Sequence, residues 1–163
     1  MSENVTIRLA KQNMKFSAGH FTIFSASERE RLHGHNFFVE VDLHARMQFN
    51  GLCFDYGIYK DRVVALCREL NEWMILPTRS PHLRIEEDGD HVIAVFAGQR
   101  IPFLREDVKL LPIENATLEE FAGWFLARLG EDRAALRAHA IEEIEVRVAS
   151  APRQSAGRRA RFD

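Results

Sequence analysis

The chain has only two cysteines, Cys53 and Cys67, in 163 residues, and nothing around them resembles a paired-thiol metal motif. In a reducing compartment such residues serve most simply as small buried hydrophobes. A surplus of one charge is also missing. The formal net charge is -2, which offers no broad electrostatic footprint for nucleic acid or an anionic membrane, so a small-molecule ligand is expected. No run approaches the roughly 18 apolar residues of a membrane span. The N-terminus lacks the basic, apolar, small-residue order of a signal peptide, so a cytoplasmic protein is expected. Internal repeats and low-complexity linkers are absent too. What is present, 46% hydrophobic and 28% charged residues, suits one domain over residues 1–163 with a proper core. The only basic run, Arg158, Arg159 and Arg161, reads as a solvated tail.

Along the chain, Val5 to Phe16 carries strand-like residues, and Met14, Phe16, Ala18 and His20 share one parity, hence one face of an extended strand. HGHNFFVEVDLHA alternates well, with Phe37, Val39, Val41 and Leu43 on one side and Glu40, Asp42 and His44 on the other. His33 and His35 fall on the apolar parity. The Ser-rich and charged FTIFSASERERL between these strands predicts a loop over their histidine end. Asp55 is placed as N-cap of a first helix whose stripe is Tyr59, Val63, Leu66, Cys67, Leu70, Trp73 and Met74. LPTRSP breaks that pattern, and HVIAVFAGQRIPFL reads as a hairpin around Gly98, an insertion at about 77–112. Thr117 and Glu120 have capping-box spacing at the start of a second helix lined by Phe121, Phe125, Leu126 and Leu129. IEEIEVRVAS closes the chain as a half-buried strand. Helices gathered on one face of an antiparallel sheet fit this order, an α+β fold.

A His-x-His pair on a strand projects two imidazoles to the same side, about 7 Å apart at the Cα atoms, close enough to converge on one cation. A third imidazole, His20, on a neighbouring strand gives three ligands with one position open, the pattern of catalytic zinc. A His-x-His pair is a short pattern, and on spacing alone isolated histidines are usually surface or hydrogen-bonded core residues.

FSAGHF, LHGHNFFVEV, GLCFDYGIYK and LPIENATLEEFA, in this order and spanning nearly the whole chain, resemble the signatures of the 6-pyruvoyltetrahydropterin synthase and 6-carboxytetrahydropterin synthase family. The LHGHN block preceded by FSAGHF is the specific part. The resemblance implies the tunnelling fold (T-fold), in which subunits join their antiparallel sheets, each with two helices on one face, into an oligomeric barrel. A homo-oligomer, trimer or hexamer, with active sites between subunits follows from it. It also implies zinc on His20, His33 and His35, and a pterin substrate, 7,8-dihydroneopterin triphosphate.

The family's usual general base is a Cys four residues before the first His of the HGH block, and Arg29 stands there. RERLHGHN resembles a variant branch in which Glu replaces that Cys, making Glu30 the expected acid/base residue and 6-hydroxymethyl-7,8-dihydropterin the expected product. Without the motif, Glu30 among Glu28, Arg29 and Arg31 is an ordinary solvated charge. Where the family has Leu-Asp-His, this chain has Leu70, Asn71 and Glu72, and Glu72 is a second candidate base. Ser150 stands at the family's pterin-anchoring Glu, and Glu119 and Thr117 are the other expected substrate contacts. Two alternatives remain: a 6-carboxy-5,6,7,8-tetrahydropterin synthase of deazapurine biosynthesis, and a non-catalytic zinc-containing heterocycle-binding protein.

Overall fold

The computed structural model describes residues 3–162. Two strands, β1 (Asn4–Leu9) and β2 (Lys15–His20), lead into the long β3 (His33–Arg46). After α1 (Gly57–Leu70) come β4 (Trp73–Pro77), β5 (Leu83–Asp88), β6 (His91–Phe96), β7 (Gln99–Leu104) and β8 (Val108–Leu111). The chain then forms α2 (Leu118–Leu129), a short α3 (Arg133–Ala138), β9 (Ile141–Ala151) and β10 (Gln154–Arg161). The main sheet has seven strands in the order β10-β9-β3-β2-β4-β8, with β1 also paired to β3; β5, β6 and β7 make a separate three-stranded sheet. This is an α+β architecture.

Alternation on the strands decides which face is buried. Met14, Phe16, Ala18 and His20 are all buried, as are Phe37, Val39, Val41 and Leu43 on β3 and Ile144, Val146 and Val148 on β9. Against this face α1 sets Tyr59, Val63, Leu66, Cys67 and Leu70, and α2 sets Phe121, Ala122, Trp124, Phe125 and Leu129. The centre is aromatic: Phe16 stacks on Phe37 with centroids 5.0 Å apart, and Phe121 meets Phe37 edge-on at 5.1 Å. A second apolar cluster of Phe21, Ile23, Leu76, Leu83, Val92, Ala94 and Phe96 lies where the three-stranded sheet meets the end of β2.

Five expectations need correction. The first helix stops at Leu70, because Glu72 takes a left-handed φ of 66°, a conformation that breaks the helix; Trp73 and Met74 therefore begin β4. That strand pairs parallel with β2 and β8, because β3 reverses the direction of β2 and the α1 connection reverses it again, while the three-stranded insert carries the chain from β4 to a parallel β8. The sheet is thus mixed rather than purely antiparallel. Asp55 is not the N-cap: Tyr56 holds that position without a side-chain bond, and Asp55 accepts the Gly57 amide at 2.9 Å. The basic C-terminal run is no tail. It is β10, in register with β9 so that Arg161 faces Glu143, after a turn in which Arg153 has φ 67°. A third helix, α3, joins the two expected, capped by Asp132 accepting the Ala135 amide.

On the sheet face away from the helices, Asp42 is 7% exposed and accepts a fork of two bonds from Arg8, at 2.8 and 2.7 Å. That hydrogen bonding, against the cost of burial, holds the Asp42 carboxyl below its ordinary 3.8. A carboxyl depressed by folding contributes stability above its unfolded pKa, and the contribution is lost as pH falls through the folded value. Arg8→Met therefore lowers the urea midpoint at pH 7, and the gap to the parent narrows as pH falls below about 4. Urea melts at pH 7 and pH 3 check this; an equal gap at both would show that the pair does not couple to folding.

Candidate functional site

β2 and β3 pair antiparallel with His20 opposite His33 and Ala18 opposite His35. Period-two alternation then puts three imidazoles on one face. Their ring centroids are 4.6 Å (His20–His33), 5.3 Å (His20–His35) and 4.9 Å (His33–His35) apart. One ligand nitrogen from each lies within 4.8 Å of the others. His20 is buried, while His33 and His35 are open to solvent.

Backbone carbonyls orient two of the rings. Nδ1 of His20 lies 2.8 Å from the carbonyl oxygen of Ala116 and Nδ1 of His33 2.7 Å from that of Arg31. A carbonyl can only accept, so each Nδ1 carries the proton and each Nε2 keeps its lone pair, the arrangement that second-shell acceptors impose on metal-binding histidines. Nε2 of His20 is buried with no hydrogen-bond partner. A buried polar atom left unpaired costs about 1–3 kcal/mol, a cost that a cation at the triad would remove. Burial also holds the His20 imidazole below its ordinary pKa of 6.5, reinforced by the neighbouring His33 and His35 and opposed by the Ala116 bond. The lone pair is therefore available at neutral pH. The donor set, three imidazoles with one orphaned buried nitrogen, fits a divalent cation such as zinc.

Glu30 stands beside the triad, its Oε2 3.7 Å from Nε2 of His33. The same oxygen accepts the Thr22 amide at 2.9 Å, and the Glu30 amide donates to the Thr22 carbonyl at 2.8 Å. Burial opposes ionisation of this carboxyl, but the Thr22 hydrogen bonds, with His33 and His20 nearby, outweigh it and hold its pKa below 4.5. Among the described residues it is the one carboxylate within 4.0 Å of a triad nitrogen.

Glu72 lies on another side. It lines a cleft of about 540 Å³ with His35, Asn36, Gly34, Trp73 and Asp107, its amide donating to the Ser17 carbonyl at 2.6 Å. Thr117 is the N-cap of α2, its hydroxyl accepting the Glu120 amide at 3.4 Å, one residue beyond the carbonyl that orients His20. Glu119 is exposed in the first turn of α2. Ser150 lies half-buried near the end of β9, at an irregularity where the register with β10 passes from Ala151 to Ala149 and skips it.

Asn115 escaped the sequence reading. Its Oδ1 accepts the amides of Ile23 and Ala116 at 3.0 Å each, and its Nδ2 donates to the Ile23 carbonyl at 2.7 Å. It thus ties the loop after His20 to the start of α2 and fixes the Ala116 carbonyl. An Asn just ahead of a helix start was its only signal.

Gly34 allows the close approach of β2 and β3. A Cβ there would meet the Ala18 carbonyl oxygen at 3.1 Å, whereas one at Gly19 would meet the thioether sulfur of Met74 at 2.9 Å. Backbone cannot yield as a flexible side chain does. Gly34→Ala is therefore expected to cost about 1–3 kcal/mol and to weaken binding of a cation at the triad, while Gly19→Ala leaves such binding nearly unchanged. Thermal melts with and without zinc check this, and equal effects would contradict the register argument.

The 6-pyruvoyl tetrahydropterin synthase family model matches residues 9–160. The chain belongs to this family. A Methanocaldococcus jannaschii relative provisionally named 6-carboxy-5,6,7,8-tetrahydropterin synthase is 29% identical over 137 residues, covering 83% of each chain. A Pyrococcus horikoshii protein with the same provisional name is 28% identical, over 87% of this chain and 83% of its own. The crystal structure of Plasmodium vivax 6-pyruvoyl tetrahydropterin synthase superposes with a TM-score of 0.92 at 28% identity, covering 98% of this chain and 99% of that one. Variants of that Plasmodium protein carry alanine or cysteine in place of a glutamate described as a catalytic residue. The superposition bears out the T-fold architecture of the single chain. Among the described residues no helix is long and apolar enough to cross a membrane.

Proposed function

We propose that the chain is a zinc-dependent lyase acting on 7,8-dihydroneopterin triphosphate or a related pterin, with 6-hydroxymethyl-7,8-dihydropterin as product. The observation that carries this reading is the Glu30 carboxylate 3.7 Å from Nε2 of His33. His20, His33 and His35 would hold the zinc. When bound, it supplies Lewis-acid polarisation of the substrate's side-chain oxygens. Glu30, ionised at neutral pH and pinned by Thr22, takes the proton as general base and returns it as acid. The catalytic glutamate named for the Plasmodium vivax protein supports the same role here. Glu72, which lines a cleft with His35, is the second candidate base. Ser150, Thr117 and Glu119 are the contacts for the pterin ring, Ser150 by hydrogen bonding without charge. The working form is a cytoplasmic homo-oligomer, a trimer or hexamer whose joined sheets place sites between subunits.

The names of the archaeal relatives favour a second reading, formation of 6-carboxy-5,6,7,8-tetrahydropterin. That chemistry in the family leans on a thiolate. Neither Cys53 nor Cys67 stands where the family has that Cys; both are buried in the main core, and burial pushes the Cys67 thiol up to about 12. The mass of the pterin formed separates the two readings: a 6-hydroxymethyl product supports the Glu30 route, and a 6-carboxy product replaces it.

A further inference from the structure

Glu30 sits near the end of the loop that joins β2 to β3. One isolated bridge, Ile23 with Arg29, draws the two arms of that loop together. Phe21 and Ile23 pack with Leu83 of β5 and with Val92, Ala94 and Phe96 of β6, so the three-stranded sheet is the floor beneath the loop. Arg29 bridges floor and site. Its guanidinium carbon lies 5.3 Å from the ring centroid of Phe21 and 5.7 Å from that of Phe96, both within cation–π range. Its Nη1 donates to the carbonyl oxygen of Glu30 at 2.8 Å. A planar guanidinium can face aromatic rings and still donate in its own plane, which an ammonium cannot do.

We propose that Arg29 is a positioning residue: held by the rings of Phe21 and Phe96, it fixes the backbone of Glu30 so that the carboxylate stays beside His33, and the inserted sheet is the platform of the site. The inference rests on the reading of Glu30 as the acid/base group. Without Arg29, the two Thr22 bonds still hold Glu30 in place loosely, so the loop loosens while the triad and both apolar clusters remain. A misplacement of about 1 Å can cost about 100-fold in rate, so the loss falls on kcat.

The test uses zinc-loaded protein and reads zinc content, kcat and KM for 7,8-dihydroneopterin triphosphate, and hydrogen exchange at the Thr22 and Glu30 amides. Arg29 is only partly buried, so Arg29→Ala reports even if Phe96→Leu fails to fold. Arg29→Ala is expected to speed exchange at both amides about tenfold and to lower kcat about 10- to 100-fold, with zinc content unchanged and KM within about twofold. Phe96→Leu does the same, and Phe96→Tyr, which keeps the ring, behaves as the parent. Parent-like exchange and kcat in Arg29→Ala overturn the proposal, as does faster exchange spread over all of β5 to β7, which marks general loosening. Glu30→Gln separates the two claims: parent-like turnover in that variant removes the acid/base reading, while the exchange result alone still judges whether Arg29 holds the loop.

Discussion

Glu30→Ala is expected to lower turnover of 7,8-dihydroneopterin triphosphate by about two to four orders of magnitude, the usual contribution of a positioned acid/base group, while zinc stays bound at one ion per chain. The division follows from the geometry. Glu30 contacts the triad across 3.7 Å but adds no nitrogen ligand, and its own anchor is the Thr22 backbone. Removing it leaves intact the two bonds by which the imidazole Nδ1 atoms of His20 and His33 donate to backbone carbonyls. Kinetics beside metal analysis check this. Parent-like turnover would sink the role of Glu30, and loss of zinc would make the residue part of the metal centre instead.

Removing the metal is expected to have the larger effect. His33→Ala should abolish both stoichiometric zinc and turnover, and dialysis against a chelator should do the same reversibly in the parent. Zinc that binds only the folded chain stabilises it by about 4 kcal/mol at a thousandfold excess over Kd. The parent's Tm therefore rises on adding zinc, whereas that of His33→Ala does not. His20→Ala should also lower the zinc-free Tm, because this ring is buried and the Ala116 carbonyl would lose its donor. A zinc-dependent rise retained in either variant would contradict a three-histidine site.

Much of this site was legible because β-strands carry their information at a period of two. The parity of Met14, Phe16, Ala18 and His20 placed His20 on the buried face, and the HGH spacing placed its partners on one side of β3; register then did the rest. The parts that escaped depend on backbone or on distant packing. Trp73 and Met74 prolong a helical spacing that a left-handed Glu72 interrupts, and a single φ leaves little trace in composition. The carbonyl of Ala116 has no side-chain signature at all. Arg158 to Arg161 looked like a solvated run because pairing with β9, not apolar alternation, makes it a strand. Arg29 drew notice only as the residue standing where a Cys was expected; its partner Phe96 lies on an insert whose bearing on the site appears only in three dimensions.

The most direct test is to incubate zinc-loaded protein with 7,8-dihydroneopterin triphosphate, beside zinc-loaded Glu30→Ala and zinc-treated His33→Ala, and to weigh the pterins by mass spectrometry. The expected result is 6-hydroxymethyl-7,8-dihydropterin from the parent alone. Unaltered substrate in all three would contradict the account and leave a protein that holds its ligand without changing it.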